Sequence, residues 1–125
     1  MNINRVTLLG TISDAPTFRE VGSTGVLKIN LCTVKHVVKK DGSEIDIKSF
    51  HRCEIWGKRA AELNGTINEG DSLFVEGEIK YGSYENKEGR KVYTTDIAIG
   101  FGDSVVAFPS GGELVQEAAD DNPFN

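Results

Sequence analysis

Five stretches of this chain alternate apolar and polar side chains with a period of two, and one short run of helix formers lies between the third and the fourth. That order leaves few folds open. The first stretch, Val6 to Ile12, puts Val6, Leu8 and Ile12 on one face, and Gly10 inside it marks a bend or bulge. The second, Val26 to Val38, sets Leu27, Ile29 and Leu31 against Lys28 and Asn30. The third, Ser49 to Gly57, puts Phe50, Arg52, Glu54 and Trp56 on one face and His51, Cys53 and Ile55 on the other. The fourth, Ser72 to Tyr81, aligns Leu73, Val75, Ile79 and Tyr81; the fifth, Val92 to Ile99, aligns Tyr93, Ile97 and Ile99. The helical run is Lys58 to Asn64, stopped by Gly65.

Three strands, a short helix and two strands predict an all-β chain folded as a five-stranded OB barrel. An SH3-like barrel is the nearest alternative, and it fits a helix between strands three and four less well. Asp41-Gly42 and the segment Glu85 to Lys91 read as hairpin tips. After Phe108-Pro109, the run Ser110-Gly111-Gly112 reads as a joint. The expected organisation is one OB domain over residues 1–108 and a short, flexible, disordered acidic tail over 109–125.

A net charge of −5 argues against a nucleic-acid partner until its distribution is considered. All 14 Lys and Arg lie between Arg5 and Lys91, and residues 1–112 hold 15 Asp and Glu, a balance of −1. Glu113, Glu117, Asp120 and Asp121 carry the remaining negative charge. A near-neutral body still has room for a basic face. No apolar run approaches the roughly 20 residues of a membrane helix, and the N-terminus lacks a signal-like apolar stretch, so a cytoplasmic protein with two reduced cysteines is expected.

Binding unpaired nucleic acid needs cations for the phosphates and aromatic faces for the bases. Phe50 and Trp56 lie six residues apart on one strand face, with Arg52 between them and Lys58 just beyond. Tyr84 shares the fourth-strand hairpin with Lys80, Lys87, Arg90 and Lys91, while Lys35, Lys39 and Lys40 belong to the second. Phe50 and Trp56 have a second reading as core residues. Parity opposes it, because His51-Cys53-Ile55 makes the better core face and a core face rarely carries Arg52 and Glu54.

The ordered motifs Asn4-Arg5-Val6, Leu9-Gly10, Phe50-His51-Arg52, Trp56-Gly57-Lys58, Ala61-Glu62, Val75-Glu76-Gly77-Glu78-Ile79 and Tyr93-Thr94-Thr95-Asp96 resemble the bacterial and phage single-stranded DNA-binding protein family over about residues 1 to 100. The resemblance implies an OB fold and non-specific binding of single-stranded DNA during replication, recombination and repair. It implies a homo-oligomer, with a tetramer favoured over a dimer, and no cofactor. The family's stacking aromatics correspond by motif to Phe50, Trp56 and Tyr84. A further family tryptophan near the end of the second strand is missing, with His36 or Val37 in that region. His51 corresponds to a histidine near a subunit interface. Asp120-Asp121-Asn122-Pro123-Phe124 resembles the family's acidic tip, which docks replication and repair proteins. Asn122 replaces the usual apolar residue there, and Asn125 follows Phe124.

Other classes fit less well. Cys32, His36, His51 and Cys53 are zinc-type ligands, yet they lack the tight Cys pairs of zinc modules, so no metal is expected. Glu76 and Glu78 share a strand face, a pattern that serves metal-dependent nucleases and also solvent-facing strands. No catalytic motif is present, so no enzyme is expected. A primosomal replication protein N-like adaptor and an oligosaccharide-binding OB module are the rivals on the same fold.

Overall fold

The computed structural model describes residues 1–100 and 102–108. The readings for the acidic tail and its tip, Asp120, Asp121, Pro123 and Phe124, lie outside them. Among the described residues no helix is long and apolar enough to cross a membrane.

Seven strands and one helix run in the order β1 (Val6–Ile12), β2 (Thr17–Val21), β3 (Thr24–Val38), β4 (Glu44–Trp56), α1 (Lys58–Leu63), β5 (Ser72–Glu85), β6 (Lys91–Ile99) and β7 (Ser104–Phe108). The five expected strands are β1, β3, β4, β5 and β6, with the helix in the expected gap. The pairing closes on itself in the order β1-β3-β4-β6-β5 and back to β1. The β4–β6 step is parallel, through Cys53↔Ile97, Glu54↔Ala98 and Ile55↔Ile99.

Two glycines permit this closure. β5 pairs β1 from Ser72 to Gly77 and β6 from Glu78 to Glu85, so Gly77 sits where it changes partner. A β-carbon at Gly77 would stand 2.3 Å from the Ala98 carbonyl oxygen. Gly10 makes the matching approach of β1 to β3 beside the Thr11↔Cys32 pair. It therefore provides a close backbone approach, where the sequence suggested a bend or bulge. Asn4, of the Asn4-Arg5-Val6 run, accepts the Ile79 N–H through Oδ1 and donates to the Ile79 carbonyl through Nδ2, both at 2.9 Å. The N-terminal segment is thereby tied to β5 just past Gly77.

The core forms from the inward residues of the alternating stretches: Ile12, Leu27, Ile29, Leu31, Cys53, Ile55, Leu73, Val75, Ile97 and Ile99. Burying one large aliphatic side chain contributes about 1.5–3 kcal/mol. Ala60 of α1 and Ile67 of the loop after it join this core. Helix α1 ends where the Asn64 N–H donates to the Ala60 carbonyl, and Gly65 follows at φ 83°. Positive φ carries no steric cost for glycine.

Two strands go beyond the five expected. In β2 only Phe18 is partly buried and the other four residues are exposed, so its alternation is too weak to announce a strand. β7 pairs the outer edge of β5, from Ser72↔Phe108 to Glu76↔Ser104. β4 begins at Glu44 rather than Ser49, because its first half extends away from the core as a ribbon with β3 and buries nothing.

Candidate nucleic-acid interface

The β3–β4 register is unbroken from Val26↔Trp56 to Val38↔Glu44, so opposed residues share a face throughout. Lys28/Glu54, Asn30/Arg52, Cys32/Phe50, Val34/Lys48 and His36/Asp46 occupy one face of the ribbon. Phe50 is 63% exposed there, Arg52 is exposed and Trp56 is half-buried. The parity assigned from sequence is the parity observed: Cys53 and Ile55 point inward, at 1% and 0% exposure.

The β5–β6 hairpin continues this surface. Lys80/Asp96, Gly82/Thr94 and Tyr84/Val92 are opposed pairs, and Tyr84 is exposed. Three contacts join the two hairpins. Arg52 Nε lies 3.2 Å from Asp96 Oδ1, Lys80 Nζ lies 3.8 Å from Glu54 Oε1, and Lys80 Nζ stands 5.4 Å from the centroid of the Trp56 ring. A cation within about 6 Å of a ring centroid is attracted by its quadrupole. Phe50, Arg52, Trp56, Lys80 and Tyr84 therefore belong to one continuous outer surface.

The other expected cations are distributed around it. Lys58 is exposed at the start of α1, directly after Trp56-Gly57. Lys39 and Lys40 form the β3–β4 tip, where the Lys39 N–H donates to the Ser43 carbonyl and Gly42 takes φ 88°. The Asp41 carboxylate accepts the Ser43 O–H and N–H at 2.6 and 2.9 Å, which lowers its pKa. Lys87 and Arg90 sit in the β5–β6 tip, where Asn86 Oδ1 accepts the N–H groups of Glu88 and Arg90. Lys35 and Lys91 lie on the reverse faces. Lys35 opposes Ile47, and Lys91 opposes Glu85 with its Nζ 5.6 Å from the Tyr93 ring.

Two cations that the sequence reading passed over share the Phe50 face, Lys28 and Lys48. Parity alone identifies Lys48, two residues before Phe50, once β4 is extended back to Glu44. His36 also lies on that face, and Val37 does not. Its ring contacts Asp46 at 2.8 Å through Nδ1 and Glu44 at 3.1 Å through Nε2. Those hydrogen bonds, Asp46 first and Glu44 second, raise its pKa above the ordinary 6.5.

His51 lies on the reverse face, partly buried, with Nε2 at 2.9 Å from Thr33 Oγ1. Ile45 and Ile47 are exposed on the same face, at 39% and 45%. The zinc-type residues divide between the two faces: Cys32 and His36 on the outer one, His51 and Cys53 on the inner one. Among the described residues no cluster of three or more His, Cys, Asp or Glu could hold a metal ion. Burial, and then the charge of Asp96, push the Cys53 thiol up to about 12.

The model of the single-strand binding protein family matches residues 3–104. A single-stranded DNA-binding protein of Xanthomonas axonopodis pv. citri is 27% identical over 96 residues, covering 76% of this chain and 53% of that protein. One from Clostridium perfringens is 32% identical over 99 residues, covering 78% of this chain and 62% of that protein. The chain thus spans little more than half the length of the first of these relatives. Its fold is that of the Plasmodium falciparum SSB in complex with ssDNA, at a TM-score of 0.78, 13% identity, and 86% and 97% coverage of this chain and that one. A deletion variant of the single-stranded DNA binding protein from Thermus aquaticus gives 0.72 at 23% identity, with 88% and 52% coverage.

Proposed function

The chain belongs to the single-strand binding protein family, and we propose that it binds single-stranded DNA with little sequence preference, as a binding protein and not an enzyme. The observation that carries this reading is the continuous outer surface on which Phe50, Trp56 and Tyr84 alternate with Arg52, Lys80, Lys48 and Lys28. Aromatic faces stack on any base, at about 1–3 kcal/mol per base, which gives affinity without sequence readout. Lys58 and the tip cations Lys39, Lys40, Lys87 and Arg90 extend the phosphate track from that surface. In the cell this binding protects exposed strands during replication, recombination and repair in the cytoplasm.

The protein assembles with copies of itself, most favourably as a tetramer. Support comes from the reverse face of the ribbon, where Ile45 and Ile47 stay exposed beside His51. Its tip, Asp120, Asp121, Pro123 and Phe124, recruits replication and repair proteins, on the strength of its resemblance to the family's acidic tip.

The deciding experiment is a fluorescence titration with oligo-dT at two salt concentrations. The chain has one tryptophan, so the signal reports Trp56 alone. Saturable quenching that weakens at higher salt is expected, since cations on the phosphates release counterions. A folded protein with no quenching and no binding overturns the proposal. Salt-independent binding of a neutral oligosaccharide favours the sugar-binding rival.

A further inference from the structure

Asp96 is one of two buried charged residues among those described, yet it opposes Lys80 on the face proposed to meet the phosphates. A carboxylate there repels a polyanion. Its side chain is 12% exposed, and the guanidinium it contacts belongs to a side chain that is 58% exposed. The contact joins β6 to β4, strands that pair directly only from Cys53↔Ile97 onward. Arg52 and Asp96 also line a cavity of about 220 Å³ with Lys28, Asn30 and Glu54, which leaves room around the guanidinium.

We propose that Asp96 is a positioning residue for Arg52: it holds the guanidinium by the Nε side, so that the two terminal nitrogens face the DNA backbone. The inference rests on the proposed function and goes beyond it by giving an acidic residue a favourable role in binding. A guanidinium offers five N–H donors in a fixed fork, so an anchor on the Nε edge leaves donors for phosphate oxygens. Unanchored, Arg52 is a long exposed side chain that must be ordered each time DNA binds. Glu54 does not fill the same place, because its Oε1 faces Lys80 Nζ.

The test turns on a sign. Charge alone predicts that Asp96→Asn, which removes a repulsive carboxylate, tightens oligo-dT binding. Positioning predicts weaker binding, on the order of tenfold, with the salt slope shallower by about 0.7 as one phosphate contact is lost. The double variant Asp96→Asn with Arg52→Met should then bind no more weakly than Arg52→Met alone. Asp96→Asn that binds as tightly as the parent, or more tightly, overturns the proposal. Should Asp96→Asn fail to fold, Arg52→Lys gives the answer in the parent background. It keeps the charge and loses the fork, so it should lower affinity while leaving the salt slope near that of the parent, and parental affinity in Arg52→Lys also overturns the proposal. Failure of the parent itself to bind oligo-dT would instead overturn the proposed function.

Discussion

A β-carbon placed on Gly10 would stand 2.3 Å from the carbonyl oxygen of Cys32. The obstacle is backbone, so it cannot rotate aside, and Gly77 meets Ala98 in the same way. Gly10→Ala or Gly77→Ala should each lower the urea midpoint by an amount equivalent to about 1–3 kcal/mol. Gly82→Ala is the control, because its obstacle is the Thr94 hydroxyl at 3.0 Å, a movable side chain. Equal midpoints for all three variants would show that ring closure does not depend on those close approaches.

Lys48 and Lys35 lie in the same ribbon on opposite faces. Removing one phosphate contact to a single strand should flatten the salt dependence of affinity by about 0.7 in log–log slope. Lys48→Met is expected to show that change and Lys35→Met is not, measured by titration at four or five salt concentrations. The reverse result would place the DNA on the face that carries Ile45 and Ile47.

The raised pKa of His36 has a definite consequence. Its folded value lies above the ordinary 6.5, so its pairing with Asp46 and Glu44 stabilises fully below 6.5 and is lost as pH rises through the folded value. An NMR titration should find His36 titrating above 6.5, and Asp46→Asn should lower it more than Glu44→Gln does, following the order of the two causes. An unchanged His36 titration in Asp46→Asn would show that the ring is not held as described.

The two thiols should differ in reactivity. Cys53 is buried, with its pKa pushed up to about 12, while Cys32 is partly exposed beside Phe50. At pH 8 a thiol reagent is expected to modify Cys32 first, and Cys53 only at the rate of unfolding, because the thiolate is the reactive form. Bound oligo-dT should slow the Cys32 reaction. Rapid labelling of both thiols in the folded protein would contradict the core position of Cys53.

In the inner half of β4 the sequence by itself determined which residues turn inward and which turn outward, whereas Tyr81 and Tyr93, aligned by parity with core residues, are 75% and 76% exposed. Alternation with a period of two forces that choice wherever one face of a strand is buried, and Phe50, Arg52, Trp56, Cys53 and Ile55 all lie as their parity required. It also determined the five strands of the ring and the helix between β4 and β5. Tertiary structure alone decided the rest. β2 buries only part of Phe18, and the alternation of Ile45 and Ile47 in the outer half of β4 buries nothing, so only pairing with β3 makes these segments strands. Pairing likewise put Lys48 beside Phe50 and turned Lys35 and Lys91 away, since the face a lysine takes on an exposed ribbon depends on register and not on composition. The contact of Arg52 with Asp96 joins residues 44 positions apart, and it exists because ring closure sets β6 against β4. Local sequence has no term for such a meeting, because the energy that brings the two strands together comes from core residues elsewhere in the chain.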